Sequence, residues 1–307
     1  MEPALELTPE LRAFVEFVAK KGRELYRDLP WRRTYDPYAI WISEVMLQQT
    51  QVSRVDGRWQ RWLERFPTVD ALAAAAPSDV LEEWQGLGYN RRALSVHRAA
   101  QAISEAGGVF PQDPKELVKL PGIGPATAAG IRAFAFNLHG VYLETNVRTV
   151  FLHELYPQAE GVPDSELVPL VELTCPASVE DAADIADADN AESDATAALT
   201  PRSWYYALLD YGAYLKKTIP NPSRRSKSHV KQSRFEGSHR QKRAELLRVL
   251  LAHKDEGGAV FETLHQELCQ IEVNAGRETL DEQVTLGLLE ELAKEGFCQK
   301  NNEYWLP

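Results

Sequence analysis

The stretch from Asp113 to Phe136 constrains this chain more than any other. Leu120-Pro121-Gly122-Ile123-Gly124 demands a tight hairpin, because glycine alone reaches positive φ cheaply and lets another backbone come close. Before it, Asp113 stands as an N-cap, Pro114 at the first helical position and Glu116 as the partner in a capping box, predicting a helix over 114–120. After it, a second helix opens straight from the hairpin, from Ala126 to about Phe136. The amides of that helix's first turn face one point, which suits an anion. Helix, glycine hairpin, helix is a phosphate grip without a Walker lysine.

A phosphate grip on a chain of net charge −11 looks contradictory until the charge is placed. Residues 178–199 hold seven acids and no base, and removing those charges leaves −4 for the rest. That segment has no aromatic residue and is expected to be a flexible insertion, since it cannot bury enough apolar surface to order itself. Residues 216–248 lean the other way, with eleven Lys/Arg against Glu236 and Glu245. Such a block can neutralise phosphates even on an acidic protein, or it can be a solvated linker. Cys175, Cys269 and Cys298 lie too far apart for a disulfide framework or a metal spacing. The start, Met1-Glu2-Pro3, lacks a basic-then-apolar run, and no stretch approaches the length of a membrane span. A cytoplasmic monomer is the expectation.

Up to residue 220 the periodicity is helical throughout, with no convincing strand. Thr8-Pro9 starts a helix to about Arg27, with Leu11, Phe14, Val15, Val18 and Leu25 on its apolar stripe. Further helices are predicted at 37–50, 53–65, 68–75, 78–86, 90–106, 145–155, 164–174 and 202–216. Residues 236–307 read as a separate unit. Ser238 and Gln241 make a capping box for a helix to about His253, and helices near 260–269 and 278–294 follow. Gly296 to Leu306 then gives two short apolar strands around an Asn301-Asn302 turn. Three helices and a hairpin predict a winged-helix-like module.

Other blocks carry a resemblance to a known family. Leu120 to Gly124 is similar to the helix-hairpin-helix of the DNA glycosylase superfamily. Leu29-Pro30-Trp31-Arg32, and Pro37 to Val52 with Ser43-Glu44-Val45-Met46-Leu47-Gln48-Gln49-Thr50 at its centre, resemble the MutY adenine glycosylases nearly residue for residue. Arg65 to Thr68, Trp84 to Tyr89 and Leu208-Leu209-Asp210-Tyr211-Gly212 agree as well. The resemblance covers about residues 10–220. It implies an all-α, bilobal fold with DNA between the lobes: 1–29 packing with the second lobe, 30–138 with the hairpin, and 139–235 with the acidic insertion. The module at 236–307 departs from the family, whose C-terminal domain is β-rich and reads 8-oxoguanine.

The resemblance also assigns chemistry. Removing adenine needs a proton delivered to the base and negative charge near the developing oxocarbenium ion, work suited to two carboxyl groups with separated pKa values. Glu44, on a helix among Ile40, Trp41, Val45, Met46 and Leu47, is the implied acid, desolvation keeping it protonated. Its other reading is a rim residue with its head in water. The family's Asp-Gly-Asn-Val is here Glu144-Thr145-Asn146-Val147, so Glu144 is the implied second carboxylate, or else a helix N-terminal charge favoured by the dipole. Bifunctional relatives carry a lysine where Ala126 stands, so no strand cleavage is expected. Arg32, Leu47, Gln48, Gln49, Tyr89, Gly122, Gly124, Thr127 and Asn146 match DNA- and substrate-contacting positions. Gln48, Gln49 and Tyr89 are the ones that would fill the gap left by a flipped base.

The family's four cluster cysteines fall on Lys216, Ser223, Ser226 and Gln232. None supplies the thiolate that an iron–sulfur cluster needs, so no cofactor is expected and charge is left to hold that loop to DNA. The expected protein is a monofunctional glycosylase acting in base excision repair on adenine opposite 8-oxoguanine or guanine, with duplex DNA as its partner. The alternatives are a non-catalytic DNA-binding protein on the same fold, or a glycosylase for another base.

Overall fold

The apolar run after the hairpin becomes the centre of the first of two compact units. The computed structural model describes residues 7–178, 199–229 and 234–307. One unit comprises 1–44 with 110–231, the other 45–109 with 232–307. These limits cut across the expected lobes: 30–44 and 110–138 group with 139–231, and the C-terminal module groups with 45–109. The acidic insertion lies, but for its two end residues, outside the described residues.

The first unit contains α1 (Pro9–Glu24), most of α2 (Pro37–Leu47), α8 (Pro114–Leu117), α9 (Pro125–Phe136), α10 (Thr145–Glu154), α11 (Asp164–Thr174) and α12 (Pro201–Thr218). Helix α9 is apolar on nearly every side, as a central helix must be; from Thr127 to Ala135 only Arg132 is not buried. Phe14 of α1 meets Phe151 and Trp204 edge to face, with centroids 5.0 and 6.1 Å apart. Gly22 allows this packing, since a Cβ there would stand 2.2 Å from that of Ala207.

Helix α12 is anchored by a buried ionic cluster. Asp210 accepts from both terminal nitrogens of Arg32 (2.7 and 2.8 Å) and from Nε of Arg27 (2.5 Å). Arg202 donates to the carbonyls of Arg32 (2.6 Å), Thr34 (3.1 Å) and Phe134. The Leu208–Gly212 block therefore has a structural reason. Asp210 holds the 27–34 segment, and Gly212 lets α12 touch α10, where a Cβ would sit 2.3 Å from the carbonyl oxygen of Asn146.

The second unit holds α3 (Val52–Val55), α4 (Arg58–Arg65), α5 (Val69–Ala73), α6 (Pro77–Glu83) and α7 (Arg91–Glu105). The single helix expected at 53–65 is broken by Gly57 at φ +78°. In its C-terminal part, α13 (His239–Ala252), α14 (Phe261–Asn274) and α15 (Glu282–Lys294) pack with a three-stranded antiparallel sheet. The hairpin, β2 (Gln299–Asn301) and β3 (Tyr304–Leu306), turns at Asn302-Glu303 rather than Asn301-Asn302, and β2 is wholly exposed and polar rather than apolar. Strand β1 (Ala259–Val260), too short to have a period, pairs with β3. Lys254 reaches Asp79 (2.9 Å) and Glu82 (2.6 Å), while Arg91 and Arg243 share Glu295, so ion pairs tie the module to α6 and α7.

Candidate active site

The hairpin forms as its glycines require, with one difference. Asp113 caps α8 by accepting from the amide of Lys115 (2.8 Å), but Glu116 turns to Lys119 (2.6 Å) and the expected capping box does not close. Gly122 sits at φ +77°. Gly124, the N-cap of α9, is extended at φ −88° and has nothing within 4 Å of where a Cβ would stand. Neither strain nor crowding inside the protein asks for glycine there; open space beside a helix N-terminus does suit a close-approaching backbone. Thr127 is buried one turn further in. Ala126 is exposed.

Glu44 faces α9 and the segment before α10. Its Oε2 accepts from the Tyr142 hydroxyl at 2.9 Å. Gly130 makes room for it, since a Cβ at Gly130 would lie 2.5 Å from that same oxygen and 2.9 Å from the Tyr142 ring. As a residue Glu44 keeps partial exposure, while its carboxyl is packed by protein on these sides. Burial pushes its pKa up to about 7, the Tyr142 hydrogen bond pulls it down, and the negative charge of Glu144 raises it further. A carboxyl poised there exchanges its proton around neutral pH and so can give it up.

Glu144 caps α10. Its Oε1 accepts from the amides of Asn146 (2.6 Å) and Val147 (3.2 Å), with extended backbone at φ −111°, ψ −177°. Burial raises its pKa, and those two amides, the Asn146 side chain and the Lys216 ammonium all pull against that rise. Glu144 is thus a helix cap whose charge also acts on Glu44. Of the two carboxyls, Glu144 has the more partners for its anion. Asn146 is half-buried, and its Oδ1 is buried without a hydrogen-bond partner.

Other expected residues fall elsewhere. Arg32 is 5 % exposed, bidentate to Asp210 and stacked 4.3 Å from the Tyr206 ring, which makes it an internal strut in this structure. In the second unit, Leu47 and Gln48 are half-buried, whereas Gln49 and Tyr89 are exposed. Gln49 (φ +56°) and Tyr89 (φ +50°) both occupy the left-handed region, a strain of about 1–3 kcal/mol for a non-glycine residue that surrounding structure must hold in place. Arg92 holds it, donating to the carbonyls of Val45 (2.6 Å), Gln48 (2.6 Å) and Gly88 (3.0 Å) and to Oγ1 of Thr50 (3.2 Å).

The positions onto which the resemblance maps cluster cysteines offer no soft ligand. Lys216 is half-buried, Ser223 and Ser226 are buried hydroxyls, and Gln232 lies outside the described residues. These donors do not fit iron–sulfur chemistry. Arg225 instead donates to the carbonyls of Leu152 (2.7 Å) and Tyr156, closing the C-terminal end of α10, and Val162 bridges to Ser226. Its charge is therefore engaged within the protein, whereas Arg224 and Lys227 stay exposed.

Gly130 gives a sharp expectation. Gly130→Ala would press a methyl against both the Glu44 carboxyl and the Tyr142 ring, so an overpacking cost of about 1–3 kcal/mol should outweigh the helix-propensity gain of about 1 kcal/mol. Thermal stability should therefore fall in calorimetry. An unchanged melting temperature would show that the carboxyl and ring do not need this space.

Comparison with known proteins gives the chain's relatives. A family model described as HhH-GPD superfamily base excision DNA repair protein matches residues 42–194. The chain belongs to that superfamily. Within it, the chain is similar to the adenine DNA glycosylase of Mycolicibacterium smegmatis, 43 % identical over 152 residues, covering 49 % of this chain and 52 % of that protein. The human adenine DNA glycosylase is 39 % identical over 134 residues, covering 40 % of this chain and 24 % of that protein. The chain thus spans about half the length, or less, of these curated relatives. Among solved structures, a thermostable thymine-DNA glycosylase superposes with a TM-score of 0.55 at 21 % identity, covering 69 % of this chain and 90 % of that one, a likeness of fold. No described helix is long and apolar enough to cross a membrane.

Proposed function

We propose that this protein is a monofunctional adenine DNA glycosylase of base excision repair, acting on adenine opposite 8-oxoguanine or guanine in duplex DNA. What carries the reading is the Glu44 carboxyl, packed over Gly130, hydrogen-bonded by Tyr142 and pushed up to about 7 by burial with the charge of Glu144 nearby. Glu44 gives its proton to the leaving adenine, so the base departs neutral. Glu144, supported as an anion by two amides and Lys216, stabilises the positive charge that develops on the sugar. Exposed Ala126 supplies no amine for attack on the sugar, so the phosphodiester backbone stays intact. The open flank at Gly124 suits a phosphate, and strained Gln49 and Tyr89 suit filling the gap left by an extruded base. No iron–sulfur cluster takes part; Arg225 supplies the local staple.

Single-turnover excision on duplexes carrying adenine opposite 8-oxoguanine, adenine opposite guanine, or uracil tests this. Adenine release without strand cleavage is expected. Glu144→Gln should bind DNA yet release no base. Glu144→Asp keeps the helix cap, aspartate being equally good there, but withdraws the charge by one methylene and should slow release by up to about 10²-fold. Duplex binding without release of any base would favour the non-catalytic reading, in which Glu144 is only a cap.

A further inference from the structure

Tyr142 lies two residues before Glu144, whose negative charge acts on its phenol. Its ring is 7 % exposed and pinned edge-on by Phe134 and Tyr205, each with centroids 5.3 Å away. Its amide donates to the Tyr205 hydroxyl at 3.1 Å, and that hydroxyl in turn donates to the carbonyl of Gly140. The backbone and the ring are thus both fixed, which leaves the phenol little freedom. The hydroxyl points at Oε2 of Glu44 from 2.9 Å.

We infer that Tyr142 is the positioning residue of the acid: its hydroxyl holds Oε2 of Glu44 as an acceptor, so the transferable proton stands on Oε1. The inference rests on the reading of Glu44 as the proton donor. Burial and the negative charge of Glu44 push the Tyr142 pKa well above the ordinary range, so the phenol keeps its own proton and remains a donor. When Glu44 releases its proton to the base, the carboxylate left behind meets a donor already in place. A charge-assisted O–H···O⁻ bond is stronger than its neutral counterpart, so the interaction strengthens as the reaction proceeds. The other groups that act on this carboxyl are Glu144 at the start of α10 and, through its own coupling to Glu44, Tyr206 on α12. Neither is a hydrogen-bond donor to Glu44, so Tyr142 alone among these groups does this work.

Tyr142→Phe keeps the ring packing and removes one oxygen. The test is the pH titration of the Glu44 carboxyl band in infrared spectra of the full chain, with Glu44→Gln spectra subtracted, alongside the pH profile of excision. The Glu44 midpoint should rise by about one pH unit, and the alkaline limb of excision should move with it. The maximal rate should fall roughly tenfold or more as the preorganised donor is lost. Placing 3-fluorotyrosine at 142, a stronger donor of nearly the same size, should move the midpoint downward and guards against a folding defect in the phenylalanine variant. A midpoint unmoved in both variants overturns the inference, whatever happens to the rate. If no duplex loses a base, the proposed function fails, and the infrared titration still decides the role of Tyr142.

Discussion

Glu44→Gln is expected to abolish adenine release, by at least about 10²-fold, while leaving duplex affinity unchanged. An amide has the shape of the acid but cannot deliver its proton. In the unmodified protein, release should decline as pH rises through about 7, where Glu44 loses that proton. The same substitution should stabilise the fold at alkaline pH. The folded-state pKa of Glu44 is raised above its ordinary 4.5, so the fold disfavours the charged form. Stability contributed by the neutral carboxyl is complete below pH 4.5 and is lost as pH climbs to about 7. Glutamine has no charge to disfavour, so the variant should gain on the order of 3 kcal/mol above pH 8. Lost activity with gained stability is the mark of a residue held in a costly state for function. Glu44→Gln that releases adenine at the normal rate would remove Glu44 from the mechanism.

Asp210→Ala should do the opposite and damage the fold. The substitution strands the Arg32 guanidinium, whose side chain is 1 % exposed, without its carboxylate. Breaking a buried pair from one side costs about 3–5 kcal/mol, mostly because an uncompensated charge stays inside. At about 2–4 °C per kcal/mol for a domain of this size, Tm should drop by roughly 10 °C or more. Arg32→Ala should behave alike, and its folded fraction at low temperature should still release adenine, because the guanidinium is turned to Asp210. If Arg32→Ala instead melts normally and loses affinity for adenine-containing DNA, Arg32 is a substrate contact after all. Scanning calorimetry and single-turnover release on the same samples separate the two outcomes.

Legibility followed the range of the interactions. Gly122, the Asp113 cap and the proline start of α8 were readable because each obeys sterics within a few residues. Gln49, Tyr89 and Gly57 were harder: the carbonyls preceding the first two are held by Arg92, which the local pattern does not show, and Gly57 breaks a helix within a continuous apolar period. Arg92 left one signal, the second of two arginines that follow Asn90 after the Trp84–Tyr89 turn. Gly130 left none, since a glycine inside a helix reads only as a loss of propensity. Arg32 marks a different limit, because a motif match does not say whether a guanidinium points inward or outward.

By itself the sequence determined a helical chain with a glycine hairpin feeding a helix N-terminus, a glutamate on an apolar helix, and a loop without thiolates. Those follow from backbone sterics, periodicity and ligand chemistry, which act locally. Only the tertiary structure decided that Gly130 and Tyr142 shape the surroundings of Glu44, that Glu144 caps a helix while charging the same site, and that Asp210 claims Arg32. Burial, and with it the proton affinity of Glu44, is set by residues 86–100 positions away along the chain. The free energy of a carboxyl depends on everything packed around it, and that packing exists only once the chain has folded.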